Sequence, residues 1–386
     1  MNGTVDELLR LCVAGASRAV LRLALPFLPV KQNRVLFQCY REKQYSCNPK
    51  YVCEELLRQC PEGLEVAWSF REPEKFRFLE EKGIRVLKAG SPEAIRYALT
   101  ARAVCVNTYY KPTLPRRKGQ LQMRTWHGGG AYKRVAMMEK LSLLKRLSLR
   151  TQLNGANLYL SSSEVFTRTT VRESFGYKGQ VLECGMPRND ILINGTDGET
   201  LARIRADIGL KEDEHLVLYA PTYRDDLKTD GFGLDGDALC AALSARFGGK
   251  WKCAFRGHVF VSGGQDSFFD LTAHPDMQEL LLAADVLVTD YSSSMWDMSL
   301  TGKPVFLYCT DLKDYTASRD FYTDIHTWPY PLAESNKELC ERVAGFDEAA
   351  YREAVRRHHK ELGSFESGHA SFDAARAILD VLTPAK

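Results

Sequence analysis

Short apolar runs recur along this chain, separated by stretches with helical spacing, and that alternation leaves few architectures open. Residues 34–38, 64–70, 84–87, 103–107, 121–126, 158–161 and 180–184 read as strands. Residues 49–59 and 76–82 read as helices, the first with Asn48 as a plausible cap. Strands that alternate with helices predict a mainly parallel sheet. A polar stretch from Asn194 to Gly198 interrupts the pattern, which then restarts with strands at 215–219, 251–255, 286–289 and 305–308. Helical segments at 349–360 and 371–382 close the chain. The expected fold is therefore α/β: a domain over 32–195, a second over 196–386, and an amphipathic helix within 1–31. A chain of 386 residues can fill two such cores. Two open sheets in tandem predict a ligand cleft at the carboxyl ends of their strands.

Charge excludes less than it first suggests. The chain has 52 basic and 49 acidic residues, a net charge of +3, which gives no argument for a nucleic-acid partner. Its 11 cysteines contain no C-x-x-C pair, so they read as small apolar residues in a reducing compartment. No run reaches the ~20 apolar residues of a membrane span. Asp6, Glu7, Arg10, Arg18 and Arg22 break any resemblance to a signal peptide.

Residues 4–28 place Leu8, Leu9, Cys12, Val13, Ala16, Val20, Leu23 and Phe27 at helical spacing, with Arg10, Arg18 and Arg22 on or near the other face. Residues 133–150 read as a second basic amphipathic stretch, with Lys133, Arg134, Lys140, Lys145, Arg146 and Arg150. Either could lie on an anionic membrane surface or pack on the protein's own core; spacing is compatible with both.

The residues able to do chemistry gather just after predicted strands. His127 ends the strand at 121–126, and Gly128, Gly129 and Gly130 follow it before a new helical stretch. Three glycines let backbone approach a ligand, and a strand-end histidine can accept a proton from an attacking hydroxyl. Arg188, after the strand at 180–184, suits a diphosphate. Arg224 and Asp225 follow the strand at 215–219, and His258 follows that at 251–255. The buried strand at 286–289 runs into Asp290, Ser292 and Ser293, with Asp297 a turn later, where hydroxyls and amides could hold phosphate.

Together these segments resemble the CDP-glycerol glycerophosphotransferase family, whose members prime and polymerise wall teichoic acid. The resemblance runs from about Arg34 to the C-terminus, through Asn48-Pro-Lys-Tyr51, Thr125-Trp-His-Gly128, Pro187-Arg-Asn-Asp190, Tyr219-Ala-Pro-Thr222 with Arg224, Arg256 with His258, and Thr289-Asp-Tyr-Ser-Ser293 with Trp296 and Asp297. It implies two Rossmann-like domains facing a cleft, as in GT-B glycosyltransferases, and a CDP-polyol donor held mainly by the second. It assigns the family's essential histidines to His127 and His258, and its diphosphate contacts to Ser292, Ser293 and Asp297, with Arg188 and Asp290 beside them. It implies neither cofactor nor metal. The chain departs from the family where Gly128-Gly-Gly-Ala131 stands in place of a usual Gly-Thr-Pro and where Val259 and Met186 stand, which bears on acceptor and polyol rather than on class.

The implied reaction is attack by an acceptor hydroxyl on the donor's β-phosphorus with release of CMP, His127 acting as base. The implied acceptor is a polyprenyl-diphosphate-linked saccharide at the cytoplasmic face of the cell membrane, and the chain length favours a primase-like or short-chain enzyme. Ribitol phosphate instead of glycerol phosphate, a sugar-nucleotide glycosyltransferase on the same fold, and a non-catalytic nucleotide-binding subunit stand as alternatives. Oligomeric state is not legible in the sequence.

Overall fold

Val35, Leu36 and Phe37 are all buried, although neighbouring strand residues point to opposite faces. A strand buried on both faces belongs inside a parallel sheet covered by helices. The computed structural model places these residues in the centre of such a sheet. It describes residues 2–382 except 61, 110, 112, 139–141, 154, 223–232, 258–267 and 319, with side chains described from Leu8 onward save those of 317 and 318. The chain divides into two compact units.

The first unit comprises Met1–His127, Val135–Arg188 and Phe365–Lys386. Its strands are β1 (Lys31–Gln38), β2 (Glu65–Phe70), β3 (Arg85–Lys88), β4 (Ala101–Val106), β5 (Leu121–Arg124), β6 (Leu158–Ser161) and β7 (Gln180–Glu183). All pair in parallel, in the order β3-β2-β1-β4-β5-β6-β7. The order reverses between β1 and β4, the place where an open sheet opens a crevice for a ligand.

The second unit comprises Gly128–Arg134 and Asn189–Ser364. Its strands are β8 (Glu214–Tyr219), β9 (Lys250–Phe255), β10 (Phe269–Asp270), β11 (Val286–Thr289), β12 (Val305–Tyr308) and β13 (Leu332–Ala333). They too are parallel, in the order β10-β9-β8-β11-β12-β13, reversing between β8 and β11. The two-sheet α/β class expected from the sequence is what the chain adopts.

The units are not cut where the sequence suggested. The chain passes from the first unit to the second after Arg188, ahead of the polar stretch at 194–198, and rejoins the first at Phe365. The helix Ala370–Leu382 returns to the first unit, where Ala370, Ala374, Ala375, Ile378 and Leu382 join the core with Val35, Phe37, Val52 and Leu56. Hydrophobic spacing shows that this helix has a buried face but not which sheet buries it. The segment Gly128–Arg134 belongs to the second unit through an isolated bridge between Lys133 and Phe321, a bond from the Arg134 amide to the Asp320 carbonyl, and burial of Tyr132.

The stretch 133–150 is consequently not one helix. Lys133 and Arg134 are engaged in the second unit, and the helix here spans only Leu143–Leu153 in the first. At the N-terminus, the helix Asn2–Ala24 packs through Ala14 and Leu21, while Leu8, Leu9, Val13, Val20 and Leu23 are exposed, as is Phe27 beyond its end. Most of the apolar stripe read from the sequence thus faces solvent. Among the described residues, no helix is long and apolar enough to cross a membrane.

Because Ile378 is fully buried in the first unit's core, Ile378→Ala should destabilise that unit by about 2–5 kcal/mol. Hydrogen exchange by mass spectrometry should show faster exchange in β1 and β4, with β8, β11 and β12 still protected.

Candidate functional site

At the switch point of the first sheet, one asparagine ties three segments together. Asn107 follows β4, and its Oδ1 accepts a bond from the Tyr40 amide beyond β1 at 2.8 Å. Its side-chain Nδ2 reaches Cys39 Sγ at 3.2 Å, and its backbone carbonyl lies 2.9 Å from His127 Nδ1. A carbonyl only accepts, so Nδ1 carries the hydrogen and, in the neutral ring, the lone pair is on Nε2. The His127 ring is flanked by Trp126, centroids 4.3 Å apart, and met edge-on by Tyr40 at 5.6 Å.

The backbone around this histidine is strained. Tyr40, Arg41, Glu42, Cys47 and Trp126 all have positive φ, between 42° and 67°, without being glycine. Such conformations cost free energy and gather where a fold must fix a functional group. The Tyr40 hydroxyl is pushed well above its ordinary value, first by burial and then by the nearby Cys47 thiol.

Buried Asn48 does not cap its helix; Ser46 precedes that helix, which starts at Cys47. Instead Asn48 Nδ2 donates to the carbonyls of Trp126 at 3.0 Å and Thr125 at 3.3 Å, and its Oδ1 accepts from the Arg188 amide at 3.0 Å. Arg188, also buried, donates from Nη1 to the His127 carbonyl at 2.7 Å. It therefore shapes the His127 turn from within the first unit, a role that its sequence reading as a diphosphate ligand did not include.

The second sheet repeats the device at its own switch point. Asp290, buried at the end of β11, accepts from the Thr222 amide at 2.8 Å and from Thr222 Oγ1 at 2.6 Å, tying the turn after β8. Asp297 is buried as well, and its Oδ2 accepts from Gln278 Nε2 at 3.0 Å. Ser292 and Ser293 are partly exposed before the short helix Ser294–Ser299. Ser292 Oγ accepts from the Ser294 amide at 3.3 Å, whereas the Ser293 side chain makes no capping bond. Asp290 and Asp297 are frame residues, while Ser292 and Ser293 present hydroxyls.

Gly128, Gly129 and Gly130 are buried in this unit. A Cβ on Gly129 would lie 2.5 Å from Trp296 Cδ1, and one on Gly130 would lie 2.9 Å from Trp296 Cε3. Gly130 also has φ +75°, which L side chains rarely adopt. Glycine is required at 129 because the Trp296 indole fills the space of a side chain, and at 130 because the Tyr132 ring and the indole do. His258 and Arg224 lie outside the described residues. Among the described residues, no group of three or more His, Cys, Asp or Glu could hold a metal ion.

Sequence reasoning passes over Asn107, Tyr40, His358 and His359. An asparagine ending an apolar strand is a usable signal for the first. The two histidines sit in a charged helix, Glu348–Glu361, with nothing local to mark them.

Two parallel sheets, each with a polar tie at its switch point, define a two-domain α/β protein of the GT-B class. Over residues 20–380 the chain matches, and belongs to, the CDP-Glycerol:Poly(glycerophosphate) glycerophosphotransferase family. It is 30% identical over 348 residues to the Teichoic acid poly(glycerol phosphate) polymerase of Bacillus subtilis (strain 168), covering 84% of this chain and 45% of that protein. It therefore spans less than half of that relative's length. It is 27% identical over 364 residues to the Teichoic acid glycerol-phosphate transferase of Staphylococcus aureus (strain NCTC 8325 / PS 47), covering 89% and 92% of the two chains. The solved structure of the Wall Teichoic Acid Polymerase TagF matches with a TM-score of 0.80 at 25% identity, over 92% of this chain and 90% of that one. A UDP-GlcNAc 2-epimerase from Neisseria meningitidis shares the fold alone, with a TM-score of 0.51 at 11% identity over 90% of this chain and all of that one.

Burial lowers both His358 and His359 from 6.5 to about 4. Above pH 6.5 both are neutral folded or unfolded, and their contribution is whole; as pH falls from 6.5 towards 4 the unfolded chain takes up protons that the folded one refuses. The second unit should lose stability across that window. Replacing both by Phe should flatten that part of its urea-midpoint curve against pH.

Proposed function

We propose that this chain transfers glycerol phosphate from CDP-glycerol to a hydroxyl of a polyprenyl-diphosphate-linked saccharide, releasing CMP. The acceptor oxygen attacks the β-phosphorus. A bond forms from that oxygen to phosphorus, and the bond from phosphorus to the bridging oxygen breaks. CMP leaves with the electron pair, and the acceptor proton passes to His127 Nε2. The observation that carries the assignment is the His127 Nδ1 bond to the Asn107 carbonyl, which gives Nε2 the lone pair a base needs. The donor's diphosphate takes hydrogen bonds from Ser292, Ser293 and the amides of Gly128–Gly130, with His258 and Arg224 contributing positive charge or donors. The leaving group is a phosphate of low basicity, so no acid on its oxygen is required.

The reaction we propose is primase-like or short-chain; relatives covered almost end to end include both the S. aureus transferase and a Teichoic acid poly(glycerol phosphate) polymerase of Bacillus spizizenii, so product length by mass spectrometry decides between single addition and polymerisation. The donor could also carry ribitol, since relatives at 27% identity include a Teichoic acid ribitol-phosphate primase. Pairing CDP-glycerol and CDP-ribitol with the same acceptor separates the two.

The membrane surface falls to the N-terminal helix Asn2–Ala24 and the helix Leu143–Leu153, which contact each other in the first unit. Leu23, Phe27, Leu143 and Leu147 are exposed there, and Arg22, Lys145, Arg146 and Arg150 are exposed with them. Exposed apolar side chains beside basic ones suit an anionic lipid interface at the cytoplasmic side.

Two outcomes follow. His127→Ala should lower CMP release by about 10²–10⁴-fold while calorimetry still records CDP-glycerol binding; full turnover would remove the base assignment. Leu23→Asp with Phe27→Asp should abolish co-sedimentation with phosphatidylglycerol vesicles at low salt without changing the thermal midpoint; undiminished sedimentation would remove the membrane surface.

A further inference from the structure

The glycine loop is held from below by a network that the reaction scheme does not use. Tyr132, two residues past the glycines, is buried, and its hydroxyl lies 3.0 Å from Tyr330 Oη and 3.0 Å from His358 Nε2. The His358 ring stacks on Tyr132, with centroids 5.8 Å apart and planes 9° off parallel. The next residue, His359, lies against the Trp296 indole at 4.1 Å, and its Nε2 is 2.8 Å from Ser299 Oγ. Ser299 Oγ in turn donates to the Trp296 carbonyl at 2.8 Å. His359 Nδ1 is buried with no hydrogen-bond partner among the described residues.

Adjacent helix residues point about 100° apart, following from 3.6 residues per turn. His358 and His359 therefore diverge, one to each side of the loop's support. One side is Tyr132, on the loop itself. The other is Trp296, the indole that fills the space above Gly129 and Gly130 and that stands on the same short helix as Asp297. Leucine or phenylalanine would fill these positions without burying imidazoles that burial holds neutral. What they would not supply is a fixed hydrogen-bonded angle for Tyr132 and a fixed depth for Trp296.

We propose that His358 and His359 are positioning residues that brace the Gly128–Gly130 loop against the Ser294–Ser299 helix, setting the shape in which the loop amides and the Ser292 and Ser293 hydroxyls meet the donor's diphosphate. The proposal rests on the reading of that loop as part of the transferase site. It adds that the site's geometry is set from the helix Glu348–Glu361, more than two hundred residues further along the chain. Both histidines act through Tyr132 and Trp296 and touch no reacting atom.

The test compares His358→Phe/His359→Phe with His358→Gln/His359→Gln, since glutamine keeps a polar atom where Nε2 was and phenylalanine does not. With CDP-glycerol and a polyprenyl-diphosphate-linked saccharide, the Phe pair should lose about 10²-fold in kcat, with the dissociation constant for CDP-glycerol and the CD spectrum little changed. The Gln pair should recover most of the loss. A Phe pair with wild-type kcat overturns the proposal, as does an equal loss in both pairs. If the Phe pair does not fold, Tyr132→Phe decides: it removes one hydroxyl, and a wild-type kcat there overturns the brace while a lowered one supports it. His127→Ala is run alongside. An inactive His127→Ala with a fully active Phe pair sinks the brace alone, whereas a fully active His127→Ala sinks the site reading on which it rests.

Discussion

Each sheet in this protein is tied across its switch point by one polar side chain, and the turns that follow depend on those ties. In the first sheet Asn107 joins the ends of β1 and β4 and gives its carbonyl to His127. In the second, Asp290 joins the ends of β8 and β11 through Thr222. Parallel strands bring amides and carbonyls to one edge with no further strand to receive them. A buried side chain that satisfies those groups also fixes the turn that follows. Anything on such a turn is held at a defined place without a ligand, so the polar ties both complete the sheets and fix the turns that carry His127 and Thr222.

The glycine loop shows the same economy of causes. Trp296 occupies the space that a Cβ on Gly129 or Gly130 would need, so glycine there follows from packing as well as from ligand approach. The departure of this chain from the usual family motif falls at these positions. Tyr132 and the two histidines beneath it pack against this loop and its indole. Loop and support form one structural solution, distributed over three segments far apart in sequence.

Much of this is legible in the order of the amino acids. Alternation of apolar strands and helical stretches places eleven of the thirteen strands among the described residues, with β6, β11 and β12 at their observed ends. The two it leaves out, β10 and β13, have two residues each, too few to show a period. Strand-end placement brings His127, Arg188, Asp290, Ser292 and Ser293 forward. Sequence cannot reveal that Arg188 and Asp290 bond to His127 and Thr222, because those bonds join residues 61 and 68 positions apart. Nor can it show which unit takes the last helix, or that Lys133 and Arg134 leave the basic stretch to pair with Phe321 and Asp320. An amphipathic pattern states that a face will be covered and leaves the cover unnamed. At the N-terminus the pattern does mark a helix, and the folded chain leaves most of its apolar face in solvent.

The central claim is phosphotransfer from a CDP-linked polyol by direct attack on the β-phosphorus. The most direct measurement is product analysis of the intact chain with a donor panel and a polyprenyl-diphosphate-linked saccharide. CDP-glycerol should yield CMP and acceptor gaining glycerol phosphate in equal amounts by mass spectrometry, with UDP- and GDP-sugars left intact. Release of UDP or GDP with a sugar added to the acceptor, and no CMP from CDP-glycerol or CDP-ribitol, would contradict it.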